Sequence, residues 1–179
     1  MITETALSEL LGCCMREDVV AVGAKLLYSD DTVQHAGVVI GFGGYAGHVN
    51  MGIKRDDYGY MVRARINCNY SAVTAACMMT KKSLFEQVGG FDEQFVVACN
   101  DVDYCLKIRE LDKWVIYNAF SEWYHYESKS RGYEDTPEKL KRFEGEVEKF
   151  QKKWPEILEK GDPFYNPNFP INRAPFTWG

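Results

Sequence analysis

The stretch CNDVDYCLKIRELDKWVIYNAFSEWYHY, Cys99 to Tyr126, decides the fold. Its first half sets Tyr104, Cys105, Ile108 and Leu111 at helical spacing, with Val102 and Leu106 widening the apolar face. Its second half, from Lys113, is a run of apolar and aromatic residues that reads as a strand. The helix opens on Asn100, a favoured N-cap, and on acids that complement the helix dipole. Capping accounts for Asp101 or Asp103 taken alone. It does not account for both, because residues two apart point about 200° apart on a helix. A helix this apolar, following FVVAC, fixes a carboxylate at the rim of a cleft, and a fixed carboxylate is what a general base requires.

Upstream, TALSELLGCCMRED spaces Leu7, Leu10, Leu11 and Cys14 as a helix, with Thr3 or Thr5 as its cap. VVAVGAKLLY and VQHAGVVIG read as two strands joined by the turn SDDT. Residues 42–60 are glycine-rich and polar, a length that points to a functional or mobile loop. YSAVTAACMMT is nearly all apolar, the pattern of a strand buried on both faces. KKSLFEQVGG is a short helix stopped by glycine. Downstream, TPEKLKRFEGEVEKFQKKW is an amphipathic helix. Thr136 caps it, Pro137 takes its first position, and Leu140, Phe143, Val147, Phe150 and Trp154 form its stripe. Residues 161–179 form an extended tail rich in proline and aromatics. The alternation of strands and helices predicts one α/β domain spanning residues 1–179.

The 179 residues suffice for one domain with a core, and 46% hydrophobic with 26% charged residues is ordinary globular composition. Lys and Arg total 21 against 26 Asp and Glu, a net charge of −5, which argues against a general nucleic-acid grip. No run reaches the roughly 18 apolar residues of a membrane span, and no signal peptide opens the chain. A cytoplasmic chain is expected. Cys13, Cys14, Cys68, Cys77, Cys99 and Cys105 form no CxxC pair and read as reduced, buried thiols. Asp30-Asp31 and Asp56-Asp57 read as solvated turns.

The segment VTAACMMTKKSLFEQVGGFDEQFVVACNDVDYCLKIRELDKWVIYNAFSEWYHYESKSRG resembles the C-terminal half of family-2 glycosyltransferases of the bacterial rhamnosyltransferase-like type. VGAKLLYSDDTVQHAGVVIG before it and DPFYNPNF after it are similar to the same group. The resemblance implies the C-terminal part of a GT-A nucleotide-diphospho-sugar transferase fold, a mixed sheet flanked by helices. It implies inverting transfer of a sugar from a nucleotide-sugar donor to a glycan acceptor hydroxyl in cell-surface polysaccharide synthesis, at the inner membrane face. On that reading Asp101 is the base. Asn100 stands where the family has Glu. Asn100 and Asp103 contact the acceptor or brace the site, His125 matches a metal ligand, and Ser130 and Arg131 close on the diphosphate. The intact enzyme would use Mg²⁺ or Mn²⁺. The family's metal-binding Asp-x-Asp precedes the first helix seen here, so the chain reads as an acceptor-side half. By itself it would be inactive, bind no metal, and form a homodimer to cover its cut sheet. Phe164, Tyr165, Phe169, Phe176 and Trp178 are alternative cover. Two other readings stand beside this one: a non-catalytic interaction module that keeps the fold, and an unrelated metal hydrolase built on Asp101, Asp103 and His125.

Overall fold

A computed structural model of the chain describes residues 1–126 and 136–177. In chain order its elements are α1 (Ala6–Cys14), β1 (Val19–Leu27), β2 (Val33–His35), β3 (Val38–Ile40), β4 (Ala46–His48), β5 (Cys68–Asn69), β6 (Met78–Thr80), α2 (Lys82–Gln87), α3 (Asn100–Arg109), β7 (Trp114–Tyr124), α4 (Pro137–Lys153) and α5 (Pro155–Lys160).

β1 is buried along its whole length, so it needs cover on both faces. α1 covers one face, packing Leu10 and Cys14 against Val22, Ala24 and Leu26. The larger core, which includes Tyr104, Cys105 and Ile108 of α3 and Phe150 of α4, covers the other. β7 runs parallel to β1 on one edge, and β2 and β6 pair antiparallel with the other. β5 pairs antiparallel with β7, which completes a mixed, five-stranded sheet, and β3 and β4 form a separate hairpin. The fold is thus mixed α/β with helices on the sheet, as the alternation of patterns predicts. β7 bulges where Ala24 faces Asn118 and Lys25 faces Glu122. The buried Asn118 amide fills the bulge: its Oδ1 accepts from the Phe120 and Ser121 amides at 2.9 and 3.1 Å, and its Nδ2 donates to the Glu9 carbonyl of α1 at 3.1 Å.

Two expected strands differ. VQHAGVVIG breaks into β2 and β3 at Gly37, whose φ is +110° and whose missing Cβ leaves room for the Tyr70 ring. In YSAVTAACMMT only Met78–Thr80 is a strand, while Tyr70 to Val73 is buried without being one. Val73 instead crosses over β1 at Gly23, where a Cβ would lie 2.4 Å from the Val73 Cβ. Gly23→Ala should therefore overpack the crossing and cost about 1–3 kcal/mol, read as a lower urea midpoint.

Residues 42–60, expected as a functional or mobile loop, are pinned to the body at several points. β4 pairs with β3, the Val49 amide donates to the Gly37 carbonyl at 3.1 Å, and Arg55 forms an ion pair with Glu122 of β7 at 2.7 Å. Lys25, almost fully buried in β1, donates to the Arg55 carbonyl at 2.6 Å and pairs with Glu122 at 3.2 Å. Burial pulls the Lys25 pKa down and Glu122 opposes it. The two acid pairs lie in turns. Asp30 Oδ1 accepts from the Thr32 amide and hydroxyl at 3.1 and 2.7 Å, and Asp56 pairs with Arg65 at 2.9 Å.

The tail folds back on the body. Asp162 accepts from the Ile40 amide of β3 at 2.7 Å and from the Phe164 amide at 2.8 Å. Burial pushes its pKa up against the pull of those bonds. Tyr165 and Phe169 enter the core, Phe176 stacks on Tyr60, and Phe164 lies under the Arg109 guanidinium. Trp178 lies outside the described residues. The tail thus covers apolar surface of its own chain, while Leu7 and Leu11 stay exposed on the outer face of α1 and Met15 stays exposed at its end.

The six cysteines are free, but only Cys14, Cys99 and Cys105 are buried, and Cys13, Cys68 and Cys77 are half-buried. Burial pushes the Cys99 and Cys105 thiols up to about 12. A thiol reagent at about pH 8 should therefore label no more than the three half-buried positions in the native chain and all six after denaturation. Native labelling of Cys99 or Cys105, read by peptide mass spectrometry, would contradict this packing.

Candidate functional site

α3 starts from a strained residue. Cys99 sits at its N-cap with φ 65°, left-handed for a side chain that gains nothing there, at a cost of about 1–2 kcal/mol. Glu146 of α4, itself buried, holds the approach to it. Its carboxylate accepts the backbone N–H groups of Val96, Val97 and Ala98 at 2.9, 3.2 and 2.7 Å. Asn100 is the first residue of the helix and not its cap, and its Oδ1 accepts from the Asp101 amide at 2.7 Å.

Asp101 is bound by two backbone amides from different parts of the chain. Its Oδ1 accepts from Val102 at 2.9 Å, and its Oδ2 accepts from Ala75 at 3.0 Å, in the 3-10 turn Ala75–Cys77. The carboxylate therefore ties α3 to a turn beside the sheet. It lies on the wall of a cleft of about 510 Å³ shared with Val38, Phe42, Tyr45, His48, Val97 and Phe143. Pro175 of the tail and Met51 of the pinned segment also border it. A single fixed carboxylate among aromatic walls can accept a proton from a hydroxyl placed in the cleft.

Asp103 points the other way, as the helical offset predicts. It is fully buried, receives Nε1–H of Trp154 at 2.9 Å, and pairs with Lys153 at 2.6 Å. Contact with a ligand is excluded by that burial. Asp103 braces α3 against the end of α4. Lys153 also pairs with Asp92 at 2.8 Å, and that bond holds Asp92 down to about 2. A depressed carboxylate contributes stability that is present above its unfolded pKa and lost as pH falls through the folded one. The difference in urea midpoint between wild type and Asp92→Asn should be full above the ordinary 3.8 of an aspartate and should close toward about 2. A difference that persists unchanged at the acid end would refute the pairing.

His125 follows β7, its amide donating to the Leu27 carbonyl at 3.0 Å. Its Nδ1 meets Gln34 Oε1 at 2.8 Å, in a hollow of about 130 Å³ bordered also by Tyr28, His48, Met51, Thr74 and Ala76. Thr74 and Ala76 flank the residue whose amide holds Asp101, so the two hollows adjoin across one turn and share His48 and Met51. Among the described residues no carboxylate borders the His125 hollow, and no three His, Cys, Asp or Glu side chains converge as metal ligands. Mg²⁺ and Mn²⁺ favour oxygen donors, so the described residues do not fit either ion. Ser130 and Arg131 lie outside the described residues.

Three residues of this region are not singled out in the sequence reading. His35 and His48 lie in a strand and in the glycine-rich segment, where nothing marks them as a pair. Glu146 carried a readable signal: it stands three residues after Phe143 and four before Phe150, on the apolar stripe itself.

No protein-family model matches the chain, and no solved structure matches it. It is similar to the protein y4gI of Sinorhizobium fredii, 46% identical over 172 residues that cover 96% of this chain and 19% of that protein. It is also similar to the O-antigen biosynthesis protein RfbC of Myxococcus xanthus, 36% identical over 169 residues that cover 92% of this chain and 13% of that protein. The chain thus spans a fifth or less of the length of these relatives. Among the described residues no helix is long and apolar enough to cross a membrane.

Proposed function

We propose that the chain is the acceptor side of an inverting glycosyltransferase that works in cell-surface polysaccharide synthesis. The observation that carries this reading is Asp101, the one carboxylate that the described residues place on the wall of an aromatic cleft, held by the Ala75 and Val102 amides. The name of the Myxococcus xanthus relative, which concerns O-antigen biosynthesis, supports the substrate class. So does the resemblance to family-2 enzymes, which implies a GT-A fold for the sheet and its helices. In the reaction Asp101 takes the proton of the acceptor hydroxyl. The freed oxygen bonds to the anomeric carbon of the donor, and the nucleoside diphosphate leaves with the electrons of the broken bond. The resemblance to family-2 enzymes makes this a single displacement, with inversion. The donor pocket and the ions that neutralise the diphosphate belong to residues other than those described.

The test uses the longer relatives together with this chain. UDP-, GDP- and dTDP-sugars are supplied with Mn²⁺ and a lipopolysaccharide-derived glycan, and release of nucleoside diphosphate is followed. Release that depends on the glycan is the expected result in a longer relative. No release with any donor and acceptor would leave the reading without support and favour an interaction module.

A further inference from the structure

The segment from Tyr58 to Ile66 is anchored beneath and apolar above. Tyr60 stacks on Phe176 with ring centroids 4.8 Å apart. Ala64 is fully buried, and its carbonyl accepts from the Tyr117 hydroxyl of β7 at 3.0 Å. Arg63 Nε donates to the Tyr70 hydroxyl at 3.1 Å. The residues between these anchors face solvent: Tyr58 is 67% exposed, Met61 73%, and Val62 and Ile66 44% each. Single exposed apolar residues are ordinary, but a concentration of them on one pinned segment marks a binding surface.

The backbone is strained at the tip of this ridge. Met61 and Val62, in the 3-10 turn Tyr60–Val62, take left-handed φ of 51° and 65°. A β-branched valine in that region is an outlier. Such strain persists only where the surrounding contacts hold it, and it gathers at functional sites. Glycine or asparagine would make the same turn at less cost and present no apolar group. The segment is also basic in an acidic chain. Lys54, Arg55, Arg63 and Arg65 stand against Asp56 and Asp57, while the whole chain carries −5. Arg55 pairs with Glu122 and Arg65 with Asp56, but Lys54 and Arg63 form no ion pair among the described residues. The other exposed apolar face, Leu7 and Leu11 of α1, has Glu4 and Glu9 beside it in the sequence and no base.

We propose that this ridge docks on the surface of an anionic phospholipid bilayer. Tyr58, Met61, Val62 and Ile66 enter the boundary between headgroups and acyl chains, and the bases beside them attract the lipid phosphates. The charge selects this occupant: apolar tips among Lys and Arg suit an anionic interface, whereas the acidic surroundings of the α1 face oppose one. The anchors beneath hold the ridge in shape, so little ordering is left to do on contact. Gly59 lies against Asn50, and the next residue, Met51, borders the Asp101 cleft. Docking therefore keeps that cleft beside the bilayer, whichever reaction it serves.

The test is sedimentation of the chain with vesicles of phosphatidylglycerol and phosphatidylcholine in equal parts, beside vesicles of phosphatidylcholine alone. Binding to the mixed vesicles, weakened by salt and much weaker on phosphatidylcholine, is the expected result. Met61→Asn together with Val62→Asn should weaken it about tenfold. The same pair should leave Tm unchanged or raise it, because asparagine tolerates the left-handed turn. Lys54→Gln should weaken binding about fivefold. Sedimentation with neither kind of vesicle would overturn the proposal and leave the ridge as a contact for another segment of a longer protein. Equal binding to both kinds would overturn it as well. So would full binding by the asparagine pair with loss in Leu7→Asp, which would move the contact to α1. Vesicle binding is read without sugar transfer, so its failure leaves the transferase reading in place.

Discussion

Asp101→Asn lowers kcat for sugar transfer about 10²- to 10⁴-fold, the usual worth of a general base, and leaves donor affinity unchanged. The substitution keeps the size of the side chain and one oxygen, so either the Val102 or the Ala75 amide retains its acceptor. What is lost is the ability to take a proton. A purely structural aspartate would behave differently. Its replacement would cost about 1 kcal/mol of helix stability, as the loss of a cap does, and would not touch kcat in the folded protein. Steady-state kinetics in an active longer relative, with the donor dissociation constant measured separately, decides between the two. A normal kcat in the asparagine variant would return Asp101 to the role of a helix-start acid.

Asp103→Ala produces the largest loss of stability, about 3–5 kcal/mol, which in a chain of this length is a fall in Tm of roughly 6–20 °C. The reason is its burial. Removing the carboxylate leaves Trp154 Nε1 without its acceptor and leaves Lys153, otherwise bound at 2.6 Å, with only Asp92. Asp103→Asn should lose less, since the amide oxygen can still accept from Trp154. Neither variant should change kcat of the folded fraction. A wild-type Tm together with lost transfer in Asp103→Ala would move Asp103 from brace to binding site.

The regular elements were legible where period and punctuation agreed. α4 reads from Thr136 and Pro137 through its stripe, and its cap is made as expected, with Thr136 Oγ1 accepting from the Lys139 amide. α3 and β7 read from their change of period. YSAVTAACMMT did not, because an apolar run records burial and not conformation. Its first residues are buried by crossing β1 at Gly23, a long-range contact with no local signature. Of the site, Asp101 was legible as a helix-start acid, and the 200° offset alone separated it from Asp103. The burial of Asp103 was not legible, since Lys107, its i,i+4 partner at 3.6 Å, marks only a helix-surface pair, while Lys153 and Trp154, which bury it, lie some fifty residues away at the end of α4. His35 and His48 were hidden for the same reason: strand pairing and a hairpin bring them together, and neither has a local pattern.

The central claim is a single displacement driven by one carboxylate. Proton NMR of the product tests it most directly, by comparing the anomeric configuration of the new glycosidic bond with that of the nucleotide sugar consumed. The account predicts inversion, complete from the first turnover. Retention of configuration would require a nucleophile or a second displacement, and would contradict the role given to Asp101.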